Sequence, residues 1–134
     1  MVLSPDLALL LRKAGLAWRP APGDRFAIPD RDLDDEVFVL SDMTIRVYQL
    51  PEGSVIGFNG TTEWALDDVD QEEAIWLPRE DQLRDLLGGT FQRLDRDGER
   101  YRVVVRDAAG ERVFRSDRAE DAYAWAVLDH LAHQ

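Results

Sequence analysis

The chain has 134 residues, of which 45% are hydrophobic and 32% are charged, proportions typical of a folded globular protein. Its 27 acidic residues exceed its 16 basic residues and give a formal net charge of −11. This charge disfavours binding to nucleic acid, whose phosphates attract clustered Lys and Arg. Cysteine is absent, so disulfide bonds and thiolate sites are excluded. We predict a single domain over residues 1–134, located in the cytoplasm.

The first predicted element is a helix that begins at Pro5, with Ser4 as its cap and Gly15 as its end. One apolar face follows from helical spacing: Leu3, Leu7, Leu10, Leu11 and Ala14. The apolar run has no basic segment ahead of it, which favours a helix over a signal peptide. No stretch reaches the roughly 20 apolar residues of a membrane span, so no membrane association is expected.

Strand patterns dominate the next part of the chain. Residues 18–24 read as a loop, and "RFAIP" at 25–29 predicts a short edge strand that ends at a proline. Three further segments have apolar, β-branched patterns: 36–40, 44–50 and 54–58. Asn59-Gly60 predicts a hairpin that pairs the last of these with residues 61–66, because a type I′ turn favours that dipeptide. A short helix through Val69 is the alternative.

The second half predicts a helix, a meander and a final helix. After a short extended segment at 74–78, Pro78 starts a helix that runs through Leu87 and ends at Gly88-Gly89. Three strands follow, at 90–94, 99–107 and 111–116, and a helix covers 117–134. Alternation in the middle strand predicts a buried face with Tyr101, Val103 and Val105 and a hydrated face with Arg100, Arg102 and Arg106. The order predicts an α+β fold with antiparallel sheets and N-terminal, central and C-terminal helices.

Two acidic segments are candidates for a metal site. Asp30, Asp32 and Asp34 have the spacing of a calcium-binding loop, but Asp35 and Ser41 stand where that loop needs Gly and Glu. The second segment, residues 67–73, contains Asp67, Asp68, Asp70, Glu72 and Glu73. We interpret both as hydrated acidic loops. If they met, their carboxylates would suit a divalent-metal-dependent hydrolase, which is the alternative function.

Other catalytic patterns are weak. The two histidines, His130 and His133, stand three apart on the last helix, where a metal pair and a polar helix end are both compatible with the spacing. We favour the helix end. The sequence has neither a phosphate-binding glycine motif nor a nucleophile elbow around any of its serines. No cofactor is therefore expected.

Two surfaces are candidates for protein interaction. Six arginines of the predicted meander form the main basic surface: Arg93, Arg100, Arg102, Arg106, Arg112 and Arg115. Acidic residues are interleaved with them, so a self-neutralised face is favoured over one that receives an anion, an acidic partner or a second copy. The last helix has a broad apolar arc: Tyr123, Trp125, Ala126, Val127, Leu128 and Leu131. A dimer seam or a groove would explain its width, and so would a sheet that covers all of it.

Three segments of the chain have a familiar pattern: "FVLSDM" at 38–43, "GFNGTTEWALD" at 57–67 and "EAIWLPREDQLRDLLGG" at 73–89. They resemble a family of small uncharacterised proteins from actinobacteria and other GC-rich bacteria, over nearly the whole chain. Some members bear a pilus-assembly label, which implies an ATPase, although this chain has no nucleotide-binding loop. The resemblance implies no catalytic residues.

The leading interpretation is a non-enzymatic interaction or adaptor domain that acts as a homodimer or on a protein partner. Its predicted contact residues on the last helix are Tyr123, Trp125, Leu128 and Leu131. Those on the sheet are Arg100, Arg102 and Arg106.

Overall fold

A computed structural model describes residues 2–28, 33–40, 45–50, 53–58, 68–70 and 74–133. Its helices and strands, in chain order, are α1 (Pro5–Lys13), β1 (Arg25–Ile28), β2 (Leu33–Val39), β3 (Ile45–Leu50), β4 (Gly53–Phe58), β5 (Asp68–Asp70), β6 (Ile75–Trp76), α2 (Glu80–Leu87), β7 (Phe91–Asp97), β8 (Arg100–Asp107), β9 (Gly110–Ser116) and α3 (Ala119–Ala132). A single 3₁₀ turn, Gly88–Thr90, joins α2 to β7. The strand pairs are antiparallel, which confirms the predicted α+β fold with its N-terminal, central and C-terminal helices.

The chain divides into two compact units. Unit 1 comprises Met1–Ala17 together with Pro78–Gln134, and unit 2 comprises Trp18–Leu77. In the sequence, unit 2 is therefore inserted between the two parts of unit 1. The single domain over 1–134 stays a prediction.

Unit 1 contains the predicted meander, in the order β7-β8-β9. Helix α3 packs against β8 and β9 and also against α1 and α2. Val103, Val104 and Val105 are all buried in β8. Burial of Val104 departs from the prediction, because it belongs to the face that was expected to be hydrated. Its partners across the ladder are Arg93 on β7 and Val113 on β9.

The broad apolar arc of α3 is explained by packing within unit 1. Seven of its residues are buried: Ala119, Glu120, Ala122, Tyr123, Ala124, Ala126 and Val127. A helix against a sheet needs one apolar face, but α3 also receives α1 and α2, so a wider arc is covered. Of the six arc residues, Tyr123, Ala126 and Val127 are therefore core.

Helix α1 begins as predicted after Ser4, but the serine side chain does not cap it. Instead the backbone N–H of Ser4 donates to Asp121 Oδ1 at 2.9 Å, and Nη1 of Arg118 contacts the carbonyl of Val2 at 3.5 Å. These contacts hold the start of α1 at the start of α3. Leu7, Ala8 and Leu11 are buried, whereas Leu10, predicted on the same face, is 43% exposed.

Unit 2 contains two sheets, with orders β2-β1-β6 and β3-β4-β5. The prediction that β1 is an edge strand is wrong, because β6 pairs with its second side through Phe26 opposite Trp76 and Ala27 opposite Ile75. A buried cluster lies on this sheet: Phe26, Ile28, Leu40 and Ala74, with Trp18 and Phe38 packed against it.

Both acidic segments contribute strands. β2 begins at Leu33, so Asp34 lies in a strand and not in a loop. β5 is formed by Asp68–Asp70 and pairs with β4, with Val55 opposite Asp70. The hairpin predicted at Asn59-Gly60, with residues 61–66 as its second strand, lies outside the described residues.

The predicted loop at 18–24 is held by one buried carboxylate. Asp24 is 3% exposed, and its Oδ2 accepts the Nε1–H of Trp18 at 2.9 Å and the N–H of Ala21 at 3.0 Å. Gly23 precedes it with φ of 88°, a conformation that favours glycine. The loop therefore delivers the chain into β1 in a defined conformation.

Candidate interaction surfaces

Among the described residues, five large apolar side chains are exposed, and they mark candidate surfaces. In unit 1 they are Leu9, 37% exposed, and Leu10 and Trp125, each 43% exposed. In unit 2 they are Val37, 40% exposed, and Val39, 60% exposed.

Of the four contact residues predicted on α3, one is exposed in the structure. Tyr123 is 1% exposed and stacks on Phe91 with ring centroids 5.6 Å apart, so it is a core residue of unit 1 and presents no surface to a partner. Burial raises the pKa of the Tyr123 hydroxyl, against an opposing effect of the Arg84 charge. Leu128 and Leu131 are half-buried. Trp125, 43% exposed, is the most exposed member of the predicted set.

The arginine face of the meander is extensively paired. Asp95 accepts from Nε of Arg102 at 2.6 Å and from Nε of Arg93 at 3.1 Å. The hydrogen bond from Arg102 is the main reason that the pKa of Asp95 is lowered. Arg106 pairs with Glu111 at 3.2 Å.

These pairs support the self-neutralised interpretation of that face. Of the three predicted contact arginines, Arg102 and Arg106 have close acidic partners, and Nε of Arg100 is 3.8 Å from Asp117. An incoming acidic group would have to compete with carboxylates that are already in place.

Arg112 does not belong to the basic surface. It lies opposite Val105, so its side chain shares the face of the sheet that packs against α3. Its Nη2 is 2.6 Å from Asp107 Oδ2, and its Nε donates to Asp129 Oδ2 of α3 at 2.8 Å. The hydrogen bond from Arg112 lowers the pKa of Asp107. Arg112 therefore joins β9 to α3.

The metal-site residues are largely beyond what the structure describes. Asp30, Asp32 and Asp67 lie outside the described residues, while Asp34 lies in β2 and Asp68 and Asp70 lie in β5. Within the described part of the chain, no group of three or more His, Asp or Glu side chains is arranged to hold a metal ion.

The histidine pair belongs to the end of α3. Nδ1 of His133 is 2.7 Å from the carbonyl oxygen of Asp129, one helical turn earlier. This contact satisfies a carbonyl at the helix end, as the favoured interpretation of the pair requires.

Val37 and Val39 were missed as candidate surface residues. The segment "EVFVL" predicts a strand, and alternation within it places Val37 and Val39 on one face and Phe38 on the other. The signal was present, because Phe38 between the two valines has the large ring that a core selects.

Comparisons of the chain with protein-family models, with curated proteins and with solved structures found no match. None of the helices that the structure describes has the length and apolar character needed to cross a membrane.

Proposed function

We propose that the protein is a non-enzymatic cytoplasmic interaction domain that binds a second copy, or a protein partner, through a surface centred on Trp125. The exposure of Trp125, at 43%, is the observation that carries the proposal. It stands on a helix whose other aromatic residue, Tyr123, is in the core. Tryptophan is among the residues that contribute most to protein interfaces.

The energetic gain from covering Trp125 is substantial. A tryptophan side chain buries up to about 250 Å², so covering the exposed part would gain roughly 2–3 kcal/mol. Leu128 is half-buried and lies one turn from Trp125 at the i+3 position, where the two side chains can contribute to one contact.

The net charge of unit 1 is small enough to allow a second copy to bind at this surface. Unit 1 has 13 acidic and 12 basic residues, a net charge of −1. Two such units approach each other with little mutual repulsion, so unit 1 is better suited to self-association than the chain's overall charge suggests.

Light scattering after size-exclusion chromatography tests this proposal. We expect the wild-type chain to be dimeric, with a melting temperature that rises with protein concentration, and Trp125→Ala to be monomeric, with a folded circular dichroism spectrum and a lower melting temperature that does not depend on concentration. Arg115→Ala, which removes another exposed side chain of unit 1, is the control and should stay dimeric.

If the wild-type chain is monomeric, cross-linking at Trp125 replaced by a photoreactive amino acid tests for a different partner. A monomer that forms no cross-link to another protein in its own cells contradicts the proposal. Stabilisation by Mg²⁺, Mn²⁺ or Ca²⁺ would instead support the hydrolase alternative, since an ion at 100 times its Kd adds about 2.7 kcal/mol.

A further inference from the structure

Strand β2 lies at the edge of its sheet. β1 flanks one of its sides, and no residue that the structure describes pairs with the other side. An unpaired edge presents backbone donors and acceptors to any extended chain that approaches it.

The hydrogen bonds of Leu40 show which backbone groups face the open side. Its N–H donates to the carbonyl of Asp24 at 2.9 Å, and its carbonyl accepts from the N–H of Gly23 at 2.8 Å. Successive residues of a strand direct these groups to opposite sides. The N–H and C=O of Val39, which lies opposite Arg25, therefore point away from β1.

The two exposed side chains near the end of this edge strand are apolar. Phe38 stacks on Phe26 with ring centroids 5.4 Å apart and packs against the core of unit 2, while its neighbours Val37 and Val39 are 40% and 60% exposed. Natural edges usually carry a charge or a proline, and β2 has its charges at residues 34–36, before the two valines. Val37 and Val39 are β-branched and uncharged, so this end of the strand is where another strand can bind.

The negative charge of unit 2 indicates which kind of segment would bind at the edge of β2. Asp34, Asp35 and Glu36 directly precede Val37 in the sequence, and unit 2 has 14 acidic and four basic residues, a net charge of −10. Pairing two copies of β2 would bring together two units of this charge, which repel. A segment rich in Lys or Arg would be attracted.

We propose that β2 accepts an added strand from a basic, extended segment of a partner protein. The segment would form backbone hydrogen bonds with Val39, place alternate apolar side chains against Val37 and Val39, and carry cations that complement the net negative charge of unit 2. Strand addition of this kind takes affinity from the main chain and specificity from alternate side chains. This surface belongs to unit 2, whereas Trp125 belongs to unit 1.

A labelled synthetic peptide of alternating valine and lysine tests the proposal by fluorescence anisotropy. We expect saturable binding and slower amide hydrogen exchange at Val39. Val39→Pro removes the outward N–H and should weaken binding by about tenfold or more, whereas Trp125→Ala should leave it unchanged. An alternating valine and glutamate peptide is the matched control and should not bind.

Because Val39→Pro also restricts the backbone, a second peptide keeps the test independent of folding. Its lysines and valines are unchanged, but the amides on one edge are N-methylated, and methylation of the edge that meets β2 should abolish binding to the wild-type chain. Equal binding of methylated and unmethylated peptides would show non-specific attraction and overturn the proposal, as would no binding at all. Loss of self-association in Val39→Pro would also overturn it, because the occupant would then be a second copy.

Discussion

Unit 1 carries 13 acidic and 12 basic residues, whereas unit 2 carries 14 acidic and four basic residues. In unit 1, acidic and basic side chains form ion pairs with near neighbours; Asp95, for example, pairs with both Arg93 and Arg102. Unit 2 has too few cations to do the same for its carboxylates. The net charge of the whole chain is thus a property of one region, and the two regions should respond differently to core mutation, to loss of a buried carboxylate and to pH.

The largest effect is expected from Tyr123→Ala in unit 1. This change removes a buried ring that stacks on Phe91 and leaves a cavity, so the free energy of unfolding of unit 1 should fall by about 3–5 kcal/mol. Tyr123→Phe keeps the ring and should cost less than about 1.5 kcal/mol. Urea unfolding followed by circular dichroism measures both. Equal losses for the two variants would contradict the core position of Tyr123.

Hydrogen exchange in the same variant tests the prediction of a single domain. Amides of β8 report on unit 1, and amides of β1 report on unit 2. A single cooperative domain requires that both sets lose protection together in Tyr123→Ala. Loss confined to β8 would show that the units unfold independently.

A smaller loss is expected from Asp24→Ala in unit 2. The variant leaves the N–H groups of Trp18 and Ala21 without their buried acceptor, and it should cost about 2–4 kcal/mol. Asp24→Asn keeps one oxygen acceptor and should lose less. Tryptophan fluorescence during thermal unfolding measures the change. If Asp24→Ala is as stable as the wild-type chain, this carboxylate does not organise the loop.

Local sequence patterns predicted most of the helices and strands, but they did not predict which of these elements pair or pack with one another. The meander and the helices around it follow from alternation, from helical spacing and from turn residues. β1 was predicted at an edge because Pro29 follows it, and the extended segment at 74–78, which contains the two-residue strand β6, gave no signal that it pairs with β1. The burial of the apolar arc of α3 depends in part on α1, which packs against it. The hydrogen bond from Ser4 to Asp121, which links the two helices, joins residues 117 apart in sequence. No local window contains that information.

Some of the candidate surfaces could have been predicted more sharply. The short turn between Asp107 and Gly110 sets the register of β8 and β9, and counting from it places Arg112 opposite Val105, on the face toward α3. That step removes Arg112 from the basic surface without a structure. The burial of Tyr123 and the exposure of Trp125 could not be derived this way, because α3 is packed from several sides.

The smallest predicted effect is a difference in pH dependence between the units. Hydrogen bonds from Arg102 and Arg112 lower the pKa values of Asp95 and Asp107 in unit 1. A carboxyl with a lowered folded-state pKa contributes stability that is complete above its unfolded pKa, near 3.8. That stability is lost as the pH falls through the lowered value. Unit 1 should therefore keep constant stability from about pH 7 to about pH 5 and weaken only below about pH 4.

Unit 2 should instead gain stability as the pH falls over the same interval. Its net charge of −10 opposes compaction, and partial protonation between about pH 7 and about pH 4.5 reduces that repulsion. Hydrogen exchange corrected for its intrinsic pH dependence should show rising protection in β1 and level protection in β8. Arg112→Met should weaken unit 1 at neutral pH and reduce its acid sensitivity, whereas Arg115→Met on the same strand should do neither. Parallel pH profiles in the two units would mean that the charge asymmetry has no energetic consequence.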